Sequence, residues 1–234
     1  MLGRIFTEQF AFSASDSVVV IGLGRFGGAV AQSLMRLGHD VMGIDHREDL
    51  VQIWADRLTH AVQADATNEN TMLQLGLADF SHAIVGIGSD LAGSLMTIMV
   101  LTELGIKDIW VKAMSPEHGQ IAQRIGAHHV IFPEADMGAR VAHQITGRLM
   151  DFIEFEDGFA IAKIHAPDLT HHKTLAEAHV RSRFGVTVVG VKRMNQDFEH
   201  ALGDTRILPG DLLIVSGPTK KIELFAGENK KARA

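Results

Sequence analysis

The first half of the chain alternates short apolar runs with segments whose apolar residues recur at helical spacing. Five runs are typical of buried strands, and they cover residues 17–21, 41–44, 60–64, 82–87 and 109–112. The segment after the first run places Phe26, Val30 and Leu34 on one helical face, and the later runs are followed by similar segments. A sixth short run covers residues 130–132. This strict alternation predicts an α/β fold with a doubly wound parallel sheet.

The pattern changes at Pro133 and Glu134, which interrupt the alternation. Residues 137–150 then predict a helix with Val141, Ile145 and Leu149 along one stripe. Because this helix separates two differently patterned halves, we interpret it as a crossover between two domains.

The second half is richer in strands. Residues 158–164, 186–192 and 212–215 predict strands, with one helix over 175–183 between them. We therefore expect a small α+β C-terminal domain. The predicted organisation is an N-terminal extension, the parallel α/β domain, a crossover helix, the C-terminal domain and a frayed tail, at 1–16, 17–135, 136–151, 152–226 and 227–234.

Composition excludes several classes of function. The chain of 234 residues contains neither cysteine nor tyrosine, which excludes disulfides, thiolate metal sites, cysteine nucleophiles and a catalytic tyrosine. Its net charge of -6 argues against a nucleic-acid partner. The most apolar helical stretch, residues 91–104, is too short and too polar to span a bilayer, and a signal peptide is not indicated, so we expect a cytoplasmic protein.

A glycine-rich loop follows the first predicted strand directly and opens a helix. Residues 22–27 read Gly-Leu-Gly-Arg-Phe-Gly, with Leu23 and Phe26 between the motif positions. In the Rossmann-like fingerprint, Gly22 allows the tight turn, Gly24 lets a phosphate approach the backbone, and Gly27 lets helix and strand pack closely. The helix N-terminus offers N–H groups to an anion.

Acidic residues follow the next two strands. Asp45 lies at the end of the second strand, where an acid accepts hydrogen bonds from ribose hydroxyls and repels a 2′-phosphate. Asp65, Ala66 and Thr67 follow the third strand and either wall the adenine side of the pocket or, in the case of Asp65 or Thr67, cap a helix.

Two further features concern the phosphate region. Gly86 and Gly88 flank the end of the fourth strand, where we expect their lack of side chains to leave room for a ligand. Arg25 lies inside the glycine loop and either reaches phosphate oxygens or is a solvated side chain on the first helical turn.

These motifs together resemble the cytosolic regulatory subunits of bacterial Ktr/Trk potassium uptake systems, which contain RCK (regulator of K⁺ conductance) domains. The segments that carry the resemblance are 20–27, 38–41, 44–45, 64–67, 109–113 and 132–138. Lys112 lies in the fifth of these segments. The likeness extends from about residue 17 to residue 225, with 181–186 and 208–211 as its best matches in the second domain.

The resemblance implies a regulator that pairs into dimers and forms a homo-octameric ring. The ring would lie at the inner face of the membrane beneath a K⁺-translocating subunit of the KtrB/TrkH type, with Na⁺-coupled uptake activated by ATP and disfavoured by ADP. By position, the loop glycines, Asp45 and Lys112 would belong to the nucleotide site, and Arg25 would contact the γ-phosphate. Glu134 matches a glutamate that helps bind Mg²⁺ or Ca²⁺, the alternative being a charged turn.

Two other functions fit the motifs less well. An NAD-dependent dehydrogenase needs a larger substrate-binding domain than this chain has. It also needs a catalytic pair, and no histidine–acid pair in the sequence has motif context, so we expect no enzyme. An NAD(H)-sensing regulator of the TrkA kind is normally built from two such units in tandem, whereas this chain has one. ATP and ADP are therefore the favoured ligands and NAD(H) the alternative.

Overall fold

The computed structural model describes residues 17–145, 149–155 and 157–230. The predicted N-terminal extension, 1–16, and residues 231–234 of the predicted tail lie outside this part of the chain. In the described ranges no helix is long and apolar enough to cross a membrane. The chain divides into two compact units, of which the first ends at Pro133 and the second begins at Glu134.

The first unit is built on a parallel sheet of six strands, in the order β3-β2-β1-β4-β5-β6. The strands in chain order are β1 (Val18–Ile21), β2 (Val41–Asp45), β3 (His60–Gln63), β4 (His82–Val85), β5 (Asp108–Lys112) and β6 (His129–Ile131). Both β2 and β4 pair with β1, so the chain order reverses beside the first strand. The predicted doubly wound sheet is thereby confirmed.

Helices connect these strands, and their ends follow the local sequence. They are α1 (Arg25–Arg36), α2 (Glu48–Trp54), α3 (Glu69–Gln74), α4 (Leu91–Glu103) and α5 (Pro116–Arg124). The side chains of Asn68, Asp90 and Ser115 cap the last three by accepting backbone N–H bonds. Gly38, with φ of +91°, lets the chain leave α1 as predicted.

Successive residues of β1 enter two different apolar cores. Val19 packs in a cluster that includes Ile98 of α4, whereas Val18 and Val20 pack in a cluster that includes Ala31 of α1. Since neighbouring strand residues point to opposite faces, helices cover the sheet on both sides.

The boundary between the units falls after the first residue of α6 (Pro133–Ile145), and the second unit contains an antiparallel sheet in the order β10-β9-β11-β8-β7. Its strands are β7 (Asp151–Glu154), β8 (Phe159–His165), β9 (Thr187–Lys192), β10 (Phe198–His200) and β11 (Leu212–Pro218). Its further helices are α7 (Leu175–Ala178), α8 (Val180–Phe184) and α9 (Thr219–Ala226). The small α+β domain is confirmed.

Several predicted elements of this region need correction. The helix expected over 137–150 begins at Pro133, because proline is well suited to a first helical position, and Leu149 is instead buried in the core of the antiparallel sheet. The helix expected over 175–183 is divided by His179, whose φ of +49° is left-handed. The tail expected to be frayed continues after α9 as a 3-10 turn over Gly227–Lys230.

Candidate functional site

The glycine loop has the backbone that its sequence predicts. Gly22 adopts a φ of +90°, and its N–H donates to the Ile44 carbonyl at 2.7 Å. A Cβ built on Gly27 would lie 1.8 Å from the Gly22 oxygen, so this position excludes a side chain. A Cβ built on Gly24 would have nothing within 4 Å. The loop is thus tightly packed at Gly27 and open at Gly24, the position at which a phosphate would approach.

Gly24 is the N-cap of α1 and carries no capping side chain, and the first turn of the helix contains no acidic residue. The first N–H groups of a helix have no partner within it, and their dipoles favour an anion. The loop therefore has the composition of an anion-binding helix N-terminus.

Asp45 holds the loop in place. Its carboxylate, 6% exposed at the end of β2, accepts the Leu23 N–H at 2.6 Å and the Arg47 N–H at 2.9 Å. Trp54 donates its indole N–H to the Leu23 carbonyl at 3.1 Å. The Leu23 side chain is buried in the core, so Leu23 serves the site through its backbone. A carboxylate has about four lone-pair sites, so Asp45 keeps acceptor capacity for a ligand hydroxyl.

A cleft of about 430 Å³ opens at the carboxyl edge of the parallel sheet, where ligands bind in such folds. Five of the predicted site residues line it, namely Gly22, Asp45, Asp65, Ala66 and Thr67. Leu23, Gly24, Arg25, Phe26, Gly27, Gly86, Gly88, Lys112 and Glu134 are not among its lining residues.

Asp65 and Thr67 form a tight turn after β3. One oxygen of Asp65 accepts the Thr67 N–H at 3.0 Å and the Thr67 hydroxyl at 2.7 Å. These hydrogen bonds from Thr67 hold the pKa of Asp65 below its ordinary value, so the carboxylate stays ionised at the cleft. The alternative that Asp65 or Thr67 caps a helix is wrong, because Asn68 caps α3.

Helix α4 contributes a wall of the cleft that the sequence motifs do not predict. Ser89, Asp90, Gly93, Met96 and Thr97 line the cleft, and His46 adds to it from the end of β2. Ser89 and Asp90 lie between β4 and α4, so they follow the end of a parallel strand just as Asp65 does, and this position was a signal for them in the sequence. Asp90 accepts the Gly93 N–H at 3.0 Å, which fixes the first turn of α4 against the cleft.

Two cationic residues lie beside the loop, outside the cleft. Arg25 is exposed at the first position of α1. The Lys112 ammonium lies 5.8 Å from the centre of the Phe26 ring and 3.0 Å from a Cβ built on Gly88. The room expected beside Gly88 is therefore taken by Lys112, and a Cβ on Gly86 would lie 3.1 Å from the Gly22 oxygen. Gly86 serves close packing against the loop.

Glu134 lies in the first turn of α6, where it is exposed and belongs to the second compact unit. Among the residues that the structure describes, no group of three or more histidine, aspartate or glutamate side chains is arranged to hold a metal ion. A divalent cation at Glu134 stays a prediction.

Comparisons with known proteins follow the two-unit architecture. A model of the TrkA-N domain matches residues 18–133, and a model of the TrkA-C domain matches residues 159–227. A Rossmann-like sheet with a glycine loop and a terminal acid, followed by a small antiparallel domain, thus defines a chain of the TrkA-N and TrkA-C class.

Full-length relatives narrow this class. The chain is 36% identical over 228 residues to Ktr system potassium uptake protein A of Bacillus subtilis, covering 97% of this chain and 99% of that one. It is 37% identical over 207 residues to Ktr system potassium uptake protein C of the same organism, covering 88% and 94%. The chain therefore belongs to the family of Ktr system potassium uptake proteins.

Solved structures agree on the fold. The crystal structure of the GsuK RCK domain superimposes with a TM-score of 0.64 at 17% identity, covering 92% of this chain and 48% of that one. The GsuK channel bound to NAD superimposes with a TM-score of 0.51 at 23% identity, covering 93% and 39%. The chain spans less than half the length of these GsuK chains, and at these identities they establish an RCK-type fold alone.

Proposed function

We propose that this chain is the nucleotide-sensing regulatory subunit of a Ktr-type potassium uptake system. The observation that carries the proposal is the match to Ktr system potassium uptake protein A along 97% of this chain and 99% of the relative. A match over both whole chains includes the parallel-sheet unit, the connecting helix and the small domain together. The simplest inference is therefore that the two chains share one function.

The charges around the site support a nucleotide as the ligand. The cleft carries Asp45, Asp65 and Asp90, whose carboxylates suit hydroxyl and amino donors. The open Gly24 N-cap and the Lys112 ammonium provide N–H donors and positive charge for phosphate. We infer that the nucleoside occupies the cleft and the phosphates lie along the loop.

ATP and ADP are the ligands that suit a switch. A ligand shifts an equilibrium only through its differential affinity for two states, and these nucleotides differ by one terminal phosphate. Arg25 is exposed at the first position of α1 and outside the cleft, so its guanidinium is available to that phosphate, in particular on a nucleotide held by a neighbouring subunit.

The proposed assembly is a homo-octameric ring of dimers at the cytoplasmic face of the membrane. The ring would act on a K⁺-translocating subunit of the KtrB/TrkH type, with Na⁺-coupled uptake raised by ATP. Glu134 would bind Mg²⁺ or Ca²⁺ near the nucleotide at the dimer interface. Met137, Val141 and Ile145, exposed along α6, are available for contacts between protomers.

NAD(H) is the competing ligand, because Asp45 at the end of β2 is equally placed for the adenosine ribose of NAD(H). The acid alone does not discriminate between the two ligands, since both carry an adenosine with free ribose hydroxyls. A direct comparison of ATP, ADP, NAD and NADH binding decides between them.

Potassium uptake in cells tests the proposal. The chain would be produced with a Ktr-type membrane subunit in cells that lack their own potassium uptake, and growth at low K⁺ would be measured. We expect growth with the wild-type chain and with Gly203→Ala, where a new Cβ meets only the Ala176 Cβ at 4.0 Å, but not with Gly24→Ala. If K⁺ uptake by the membrane subunit is the same with and without the wild-type chain, the proposal is contradicted.

A further inference from the structure

The charge of the cleft at the carboxyl edge depends on one histidine. Three carboxylates line this cleft, those of Asp45, Asp65 and Asp90. Among the lining residues, all of which belong to the described part of the chain, His46 has the only side chain that can carry a positive charge. A histidine changes its charge between about pH 5 and pH 8. The net charge that the cleft presents to a ligand therefore changes in the same range.

The backbone around His46 is fixed, so the imidazole is held at the cleft. Asp45 accepts the Arg47 N–H at 2.9 Å, which closes a turn around His46. The Gln63 amide donates to the His46 carbonyl at 3.1 Å and ties it to β3. Arg47 is itself engaged by Asp49, with Nε 3.0 Å from Oδ1. The His46 side chain is 80% exposed, so it exchanges protons with solvent while the fold stays intact.

Carboxylates from three elements face the imidazole or share the cleft with it. Nδ1 of His46 lies 3.5 Å from Oδ1 of Asp45 at the end of β2. The pKa of Asp65, after β3, is lowered first by hydrogen bonds from Thr67 and in smaller part by the charge of His46. Asp90 adds a third carboxylate from the turn before α4. A protonated His46 therefore offsets part of the negative charge that an incoming anion meets.

Protonation of His46 leaves room on Asp45 for a ribose. A carboxylate has about four lone-pair sites. Oδ1 of Asp45 accepts the Arg47 N–H and faces His46, whereas Oδ2 accepts the Leu23 N–H at 2.6 Å. A lone pair of Oδ2 thus stays open to a ribose hydroxyl in both protonation states of His46. The proton changes the charge of the cleft and not the acceptor that a ribose needs.

The phosphate region adjoins the same cleft. Gly22 of the glycine loop is one of its lining residues, so phosphates along the loop would lie within reach of the charge on His46. Charges attract each other more strongly across a cleft than in bulk water, because the walls exclude solvent. We propose that His46 is a proton-dependent binding residue, which in its protonated form raises the affinity of the cleft for phosphorylated nucleosides. This inference rests on the proposed nucleotide-sensing function and adds to it a response to pH.

Binding at two pH values tests this role of His46. ADP and adenosine would be titrated by calorimetry into the nucleotide-stripped, full-length protein at about pH 5.5 and about pH 7.5, one unit to either side of the ordinary histidine pKa of about 6.5. His46→Gln removes the charge and His46→Lys keeps it at both pH values. His60→Gln is the matched control, at an exposed histidine at the start of β3. A terminal phosphate itself titrates near about pH 6, so variants are compared with the wild type at the same pH.

The ratio of wild-type to His46→Gln affinity for ADP should rise several-fold from about pH 7.5 to about pH 5.5. His60→Gln should bind ADP like the wild type at both pH values. His46→Lys should bind ADP several-fold more tightly than the wild type at about pH 7.5. Adenosine has the ribose but no phosphate, so its ratio of wild-type to His46→Gln affinity should be the same at both pH values. The unfolding midpoint without ligand checks that each variant is folded.

Three results would overturn the inference. An ADP ratio that is the same at both pH values would show that the proton on His46 does not affect the phosphates. An equal change in the adenosine ratio would show that His46 acts on the nucleoside instead. If the wild type binds ADP at neither pH, the proposed function itself is contradicted, an outcome that differs from the first two because in those the wild type binds ADP.

Discussion

Alanine substitutions at Gly24 and Gly27 separate ligand binding from packing in the glycine loop. A methyl group on Gly27 would lie 1.8 Å from the Gly22 oxygen, whereas ordinary contact begins at 3.4 Å. The clash involves backbone, which no side-chain rotation relieves, so its cost lies at the upper end for overpacking, about 3 kcal/mol. Better helix propensity returns about 1 kcal/mol. The net loss of about 2 kcal/mol lowers the unfolding midpoint by roughly 4–8 °C.

Gly24→Ala has the opposite expected profile. A methyl group there would have nothing within 4 Å, and the φ of -68° suits alanine. As an N-cap, alanine costs no more than about 1 kcal/mol relative to glycine, or roughly 2–4 °C. The methyl group nevertheless occupies the space in which a phosphate approaches. If ATP binds as proposed, a concentration a hundred times its Kd would stabilise the wild type by about 2.7 kcal/mol, or roughly 5–10 °C, and Gly24→Ala should lose most of this gain.

Thermal unfolding with and without saturating ATP measures both effects in one assay, with Gly203→Ala as the glycine-to-alanine control. Two results would contradict these expectations: a full ATP-induced rise in Gly24→Ala, or unfolding of Gly27→Ala at the wild-type temperature. The first result would show that the phosphate does not bind at the loop, and the second would show that the loop is not packed as described.

Other substitutions and pH test the remaining parts of the site. Asp45→Asn replaces one acceptor oxygen by a donor that faces a backbone N–H, so the free energy of unfolding should fall by about 2 kcal/mol in a denaturation titration. Arg25→Ala should narrow the difference between ATP and ADP affinity in calorimetry, and equal losses for both would show that Arg25 does not contact the γ-phosphate. If the proposed ring binds Mg²⁺ or Ca²⁺ at Glu134, Glu134→Gln should weaken the effect of these cations on the particle mass measured by light scattering, and an unchanged cation response would show that Glu134 is not a ligand. Burial lowers the pKa of His118, so the unfolded state takes up a proton first and stability should fall as pH drops below about 6.5, an effect that His118→Gln should remove. The pKa of Asp108 is lowered overall: burial acts to raise it, but the hydrogen bonds from Trp110 and His82 and the charge of His129 outweigh burial. The contribution of Asp108 to folding stability is therefore present above about pH 4 and is lost only below it.

Local patterning predicted the parallel half of the fold well. Buried strands such as β1 and β2 are continuous apolar runs bounded by glycine or polar residues, which is the strongest signal that a strand gives. The short strands of the second unit lack this signal. β10 has three residues, Phe198–His200, all exposed, and β7 has only two adjacent apolar residues, which lie between Asp151 and Glu154. Their pairing with long neighbours is a tertiary effect that no local pattern contains.

The candidate site was predictable at its strand ends but not in its connections. The glycine loop and Asp45 follow from motif spacing, and Asp65 follows from the carboxyl-edge rule. The hydrogen bond that joins Asp45 to Leu23 crosses 22 residues of sequence, and spacing alone does not indicate it. The α4 wall escaped prediction because α4 is apolar along most of its length, which is typical of a core helix and gives no signal that one side of it lines a cleft.

Titration calorimetry of nucleotide-stripped protein, with light scattering for mass, tests the central claim most directly. ATP, ADP, NAD and NADH would be titrated separately into the full chain. We expect tight binding of both ATP and ADP to a particle of octamer size. Binding of NADH alone, to a dimer or tetramer, would contradict it and make the protein a redox-sensing regulator.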